Sequence, residues 1–359
     1  MTRMQSRGSF TLDDTNYFKG IAILLIVLHN YLHWQVGFSI ENESDFTANN
    51  AQIFLENLYP VQWPNFFVSI FSFLGHYGVQ LFIFFSAYGL SIQFIKNENS
   101  KFNYFKYLKT RLKKLYVLLI FGFIVYHIFF YIGFGEAYSL KKTAVKSILL
   151  SSSISNFYKP WTYNMLSGPF WFFGLMVQLY VAFPFLFKIL KKYKLALILA
   201  ITYVLITVLY YTVDKQTNFN ILPTVIGHLP EVFLGVYFAQ NKLKKPATVV
   251  FISSLVVFSL SQVYEFLFPF SFLAFTLVLL YIFENLYTVL GSSWKKIFVS
   301  IGKISMIIFV TNGIFRILPL FGIENMDIRA ERIFLYLILL LPTCYLLYFI
   351  YNKIFEKIK

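Results

Sequence analysis

About ten stretches of this chain are apolar enough and long enough to cross a hydrocarbon core of ~30 Å. They run near Asn16–Val36, Phe66–Ile95, Leu115–Phe134, Gly168–Phe187, Leu195–Val213, Leu222–Ala239, Ala247–Tyr264, Phe270–Leu290, Phe298–Leu318 and Ile333–Tyr351. In lipid every backbone N–H and C=O must find its partner within the protein, so such stretches become helices. The expected fold class is all-α, a polytopic transmembrane helix bundle of about ten spans. Composition agrees: 58% of residues are hydrophobic and the mean hydropathy is +0.65. The 45 Phe exclude disorder, because a disordered chain is one that cannot bury enough apolar surface.

Charge orients the bundle. The chain carries 31 Lys+Arg against 16 Asp+Glu, a net +15. Assigned to alternate connections, 21 of the basic residues fall on one side and seven on the other. The rich side holds Arg3, Arg7, the segments Lys96–Lys114, Lys188–Lys194 and Lys242–Lys245, Lys295, Lys296 and the C-terminal lysines. The positive-inside rule puts that side, and both termini, in the cytoplasm. The basic excess therefore points to topology and the lipid bilayer rather than to nucleic acid. Residues 1–15 are polar and lack a cleavage site, so the first span is expected to stay in the mature protein. No internal repeat or soluble domain is visible, and the chain reads as one membrane domain over 1–359, with 1–15 a cytoplasmic segment and 352–359 a cytoplasmic tail. The one cysteine, Cys344, excludes a disulfide framework and a cysteine-based metal cluster, and no metal is expected.

Ionisable groups at membrane depth are costly and point to function. In KGIAILLIVLHNYLHW, Lys19 stands near the start of the first span and His29 ten residues on, about 15 Å along a helix axis. His29 suits a general base for a hydroxyl, a gate or proton relay, or a histidine bonded between helices. His33, one turn further, is expected at the interface. Arg111 and Lys114, at i and i+3 where a basic loop enters the third span, make a patch able to hold a phosphate-bearing ligand, though such runs also serve only to set topology. In HLPEVFLGV, His228 and Glu231 are spaced for an ion pair that holds a helix broken at Pro230, or for a catalytic acid. His76 either lines an external cavity or caps a bend at Gly75 and Gly78. Ser305 and Asn312 are explained by interhelical hydrogen bonding.

Taken in order, five segments resemble the acyltransferase 3 family, ten-span enzymes that acylate sugars on bacterial surface glycans. KGIAILLIVLH is similar to the family's basic residue, Gly-Ile-Ala and histidine signature. GVQLFIFFSAYGLS resembles its second-span segment, with Ser86 matching. RLKKLY resembles its Arg-x-x-Arg entry to the third span, with Arg111 matching and Lys114 conservative. GPFWFFGLMVQLYVAFPFL aligns Trp171, Gln178, Tyr180 and Pro184 with the fourth-span series. LPEVFLGVYFA aligns Pro230, Glu231, Phe233 and Gly235 with the Pro-Glu-Phe-x-x-Gly element. Three departures stand out. Nine residues separate Lys19 from His29 where the common form has arginine and ten, leaving the pair ~80° apart around a helix instead of ~20°. Asn312 occupies a position where many members carry histidine. The chain ends soon after the last span, so the esterase-like periplasmic domain of some relatives is not expected.

The resemblance implies a bacterial inner-membrane, multi-pass O-acyltransferase moving acetyl from cytoplasmic acetyl-CoA, with no permanently bound cofactor, to a sugar hydroxyl of an extracytoplasmic polysaccharide or its lipid-linked precursor. In that reading His29 is the base or transient acyl carrier, and Glu231 a second catalytic candidate. Lys19, Arg111 and Lys114 would hold CoA phosphates, and Ser86, Trp171, Gln178, Tyr180 and Asn312 would line the substrate cavity. The rival classes are a lipid-linked glycan flippase or transporter, in which His29 and Glu231 relay protons, and a non-catalytic family member.

Overall fold

The structure, a computed structural model, describes residues 8–33, 41–43, 45–63, 65–98, 101–151, 157, 168–321 and 330–355. Arg3, Arg7, Lys159, Arg329, Lys357 and Lys359 of the charge count, and the Trp34–Val36 end of the first expected span, lie outside the described residues. The described residues form fourteen α-helices and no β-strand. In chain order these are α1 (Leu12–Leu32), α2 (Asn49–Leu58), α3 (Asn65–Leu74), α4 (Gly78–Lys96), α5 (Tyr104–Phe134), α6 (Leu140–Ser151), α7 (Trp171–Lys192), α8 (Leu195–Leu209), α9 (Leu229–Asn241), α10 (Thr248–Ser261), α11 (Ser271–Val289), α12 (Ser292–Lys303), α13 (Ser305–Phe315) and α14 (Ala330–Phe355).

Among the described residues, six helical segments are long and apolar enough to cross a membrane: Asn65–Lys96, Tyr104–Phe134, Gly168–Lys192, Leu195–Asp214, Glu265–Val289 and Arg332–Phe355. The pair α12 and α13, bent by 70°, makes a seventh if it counts as one span. Three expected spans are cut down for physical reasons. Asn16, Lys19, His29 and Asn30 dilute the apolarity of α1, which the protein compensates by burying most of the helix. Helix α10 has only 14 residues. The stretch Leu222–Ala239 is helical only from Leu229, because residues 221–228 make a chain of turns in which Gly227 lies against Leu222; a Cβ on Gly227 would stand 2.4 Å from the Leu222 carbonyl. Pro230 accordingly opens α9 instead of breaking it.

The bundle is organised around α1. Its start is fixed by a capping box, Thr11 with Asp14. Asp14 also pairs with Lys244 at 2.8 Å, and the Phe10 amide donates to the Tyr88 hydroxyl, so the segment after α9 and the middle of α4 converge on the same turn. Further along, α12 crosses α1 at glycines: a Cβ on Gly20 would stand 2.0 Å from the Phe298 carbonyl, and one on Gly302 1.8 Å from that of Asn16. Backbones this close give the dispersion contact that holds helices together in lipid, where apolar side chains gain little from pairing. On the periphery α8 and α14 expose Leu197, Ile201, Val204, Ile338, Leu346 and Phe349, the outward apolar faces a bilayer covers.

Gly20→Val forces backbone apart, and overpacking of this kind costs about 3 kcal/mol or more. The variant is expected to lower the detergent-solubilised yield and the melting temperature sharply. Gly89→Ala, with nothing within 4 Å of the new methyl, is expected to be neutral or slightly stabilising; equal losses in both would show that the α1–α12 crossing is not under this constraint.

Candidate active site

His29 lies one turn from the C-terminal end of α1 and is 3% exposed. Its Nδ1 lies 2.8 Å from the Ser72 carbonyl oxygen near the end of α3. A carbonyl only accepts, so Nδ1 carries the proton and Nε2 is left with its lone pair. The contact depends on the short 3₁₀ turn Gly75–Tyr77, which joins α3 to α4 flat against α1. His76 on that turn brings its ring to 5.3 Å from that of His29, centroid to centroid.

A second acid–base pair stands beside the first. His33, at the C-cap of α1, donates from Nδ1 to Oε1 of Glu41 at 2.7 Å, and its ring lies 4.8 Å from that of His29. Burial works to raise the Glu41 carboxyl, but the hydrogen bond from His33 and the neighbouring imidazoles outweigh it and bring the group down to about 2. Burial pushes Glu43 up to about 7, helped by the charge of Glu41 and opposed by His33 and Arg316. Buried Arg316, just after α13, donates through Nη1 to the Asn30 carbonyl at 2.7 Å and anchors the end of α1 from its other side. His29, His33 and Glu41 are also a group compact enough to hold a cation, but both Nδ1 atoms are spent on the hydrogen bonds just described.

Next to this cluster a cavity of about 20 Å³ is walled by Glu43, His76, Gln80, Trp171, His228 and Phe272 among others, room for about one water. Trp171 stacks on His228 with rings 21° apart. His228 and Glu231 approach to 3.6 Å, too long for a hydrogen bond, and both Glu231 oxygens are buried without a hydrogen-bond partner. Glu231 also sits in the first turn of α9, where the helix dipole favours a negative charge.

At the basic end a larger cavity, about 510 Å³, opens between the end of α4, the start of α5 and the end of α7. Arg111, Lys101, Lys106, Lys188 and Lys191 supply cations, and Phe94, Phe102, Tyr107 and Phe187 supply rings. Arg111 bonds Gln93 and lies over the Tyr107 ring, and Lys191 pairs with Glu98.

The expected site residues thus fall into separate groups. Arg111 lines the basic cavity, whereas Lys114 and Lys19 do not, and Lys19 sits on α1 next to its crossing with α12. Trp171 lines the small cavity beside the His29 cluster, with Glu231 one helical turn behind His228. Gln178 is engaged by the Val225 amide and Asn312 by the Tyr336 hydroxyl, both bracing roles. Ser86 lies on α4 outside both cavities, and Tyr180 is near enough to Arg111 to feel its charge. Glu41, Glu43 and Arg316 were not singled out as site residues. The signal for the first was the i, i+4 pair His29 and His33 followed eight residues later by a carboxylate.

Fold and site together define an all-helical multi-pass membrane protein built round a buried imidazole whose free nitrogen is a base. A family described as an acyltransferase domain, acyltransferase 3, matches residues 12–352. That match covers nearly the whole chain, which therefore belongs to this family of membrane acyltransferases. No curated protein and no solved structure matches it.

Glu43 gives a stability test with a definite sign. Its carboxyl holds a proton to about 7 when folded against 4.5 ordinarily, so the folded state binds more protons between those values and stability from this group falls as pH rises through them. Glu43→Gln is expected to raise the melting temperature relative to wild type at pH 8 and much less at pH 4.5. A difference that is the same at both pH values would contradict the assignment.

Proposed function

We propose that the protein is an O-acyltransferase that moves acetyl from cytoplasmic acetyl-CoA to a sugar hydroxyl of an extracytoplasmic polysaccharide, such as a capsule, exopolysaccharide or O-antigen, or of its lipid-linked precursor. The observation that carries this reading is the tautomer of His29: in a member of an acyltransferase family, a buried imidazole on the first helix has Nδ1 tied to a carbonyl and Nε2 ready to accept a proton. The basic end faces the cytoplasm in this reading, with ten spans counted by including α1, α9 and α10, and with both termini on that side of a bacterial inner membrane.

The chemistry follows from that nitrogen. The acceptor hydroxyl gives its proton to Nε2 of His29 as its oxygen attacks the thioester carbonyl carbon. The carbon–sulfur bond then breaks, and the imidazolium returns the proton to the departing thiolate, leaving the ester and free CoA. The basic cavity suits the donor's nucleotide end, since its cations match phosphates and its rings can stack on adenine. Lys19, about 15 Å before His29 along α1 and outside the basic cavity, would in this reading meet phosphates of a donor whose thioester reaches the base. Lys114, one turn from Arg111, adds charge to the same end. Glu231, Trp171, Gln178, Tyr180, Asn312 and Ser86 brace the path, with Trp171 nearest the cluster.

The test is transfer of labelled acetyl from acetyl-CoA into the glycan fraction of membranes from a glycan-competent host. His29→Ala is expected to lose 10²–10⁴-fold, the usual contribution of a positioned base. Label absent with wild type as well would bring forward the flippase or transporter reading. Arg111→Ala is expected to raise KM for acetyl-CoA about tenfold or more, the loss of a charged hydrogen bond, with a smaller effect on kcat. Unchanged KM would remove the basic cavity from the donor path.

A further inference from the structure

Glu41 offers more than a partner for His33. Its side chain is 8% exposed, Oε1 takes the His33 proton at 2.7 Å, and Oε2 is buried with no hydrogen-bond partner. A buried carboxylate oxygen left bare is costly and is normally filled. Being ionised, it can only accept, so what fills it is a donor. In the same cluster Nε2 of His29 is an acceptor too, because its Nδ1 already donates to Ser72. Ring nitrogens of His29 and His33 and a carboxylate oxygen of Glu41 lie within 4.8 Å of one another. The cluster therefore presents two acceptors, Oε2 of Glu41 and Nε2 of His29, on residues whose polar atoms approach to within 4.8 Å, and a lone hydroxyl can satisfy only one of them. The complementary ligand carries two O–H donors on adjoining carbons.

We infer that Glu41 binds a second hydroxyl of the acceptor, vicinal to the one His29 deprotonates, so that the acceptor is a glycan residue with a free vicinal diol and only one of the two hydroxyls is acylated. This rests on the acyl-transfer reading above. His33 fixes which Glu41 oxygen is spent and which is offered, and Arg316 holds the backbone of Asn30, the residue after His29. The neighbouring hydroxyl acts by position: it turns the reacting oxygen toward Nε2 and takes no part in bond making.

Two measurements in membranes test this. In the first, labelled acetyl-CoA is followed both into glycan, at limiting glycan, and into free acetate, the product of attack by water, which has no second hydroxyl on an adjoining carbon. Glu41→Ala is expected to lower the ratio of glycan label to acetate at least tenfold, while His29→Ala lowers both products. A Glu41→Ala ratio equal to wild type overturns the assignment, whether both products fall together or neither does. In the second, NMR locates the ester on glycan acetylated by wild type. A free hydroxyl on the adjoining carbon is expected, and an ester on a hydroxyl with no free neighbour overturns the inference without any variant needing to fold. Wild type that makes neither product would sink the acyl-transfer reading itself, and this inference with it.

Discussion

A Cβ at position 75 would stand 2.6 Å from the Leu25 carbonyl and 2.8 Å from the Cβ of His29, and one at position 78 would stand 2.5 Å from the Ala22 carbonyl. The junction between α3 and α4 can therefore lie on α1 only as glycine, and that approach is what carries the Ser72 carbonyl to His29. With it come the tautomer of the imidazole, the placement of His76 and the wall of the small cavity. Were the junction an ångström further away, Nδ1 would lose its acceptor, and either nitrogen could carry the proton. The catalytic reading depends on this backbone contact more than on any charged pair.

The chain's apolar runs announced a helical membrane protein, and the depth and spacing of His29 announced a site. Periodicity could not show which runs would stay continuous. Helix α9 begins late because Pro223, Gly227 and Pro230 suit turns and a helix start, while α12 and α13 part by 70° at Ile304. Grouping of the basic residues was half legible. Arg111 was marked by its entry into a span, but Lys188 and Lys191 join it only because the end of α7 packs back against α4 and α5, a contact with no local trace. Glu41 and Glu43 read as an acidic loop, since nothing short-range shows that the loop returns to the end of α1. Lys19 and His29, ten residues apart, do not share a face, and the fold leaves them at different depths with different neighbours.

The two cavities lie at opposite ends of α4. Gly75 touches His29 and Gln93 lines the basic cavity, and 18 helical steps between them amount to ~27 Å. A donor held by its phosphates at one end and a glycan held by its hydroxyls at the other meet only if the acyl arm reaches along the bundle. In the proposed reaction such a division would keep the nucleotide among cations and rings at one end, and the hydroxyl-bearing acceptor among imidazoles and carboxylates at the other. It also explains why the charged groups near His29 are neighbours that pair with each other, as His33 does with Glu41: free charge at that depth would be expensive.

The small cavity's ~20 Å³ admits water and not a sugar, so in the proposed reaction an acceptor sugar entering beside Glu43 would have to displace part of its wall. The wall segment that carries Glu41 and Glu43 is tied down close by, at Asp45, to Lys215 at 2.7 Å, and Lys215 also reaches Glu265 at 3.1 Å. Asp45 is 62% exposed, and an exposed ion pair contributes only about 0–1 kcal/mol. The inner contacts are different in kind. His29 to Ser72 and Arg316 to Asn30 run between packed helices and cannot give way without moving backbone. The base is thereby held between packed helices, whereas the carboxylates stand on a loop fastened by buried Asn42, bonded to Asn50, and further out only by that exposed ion pair.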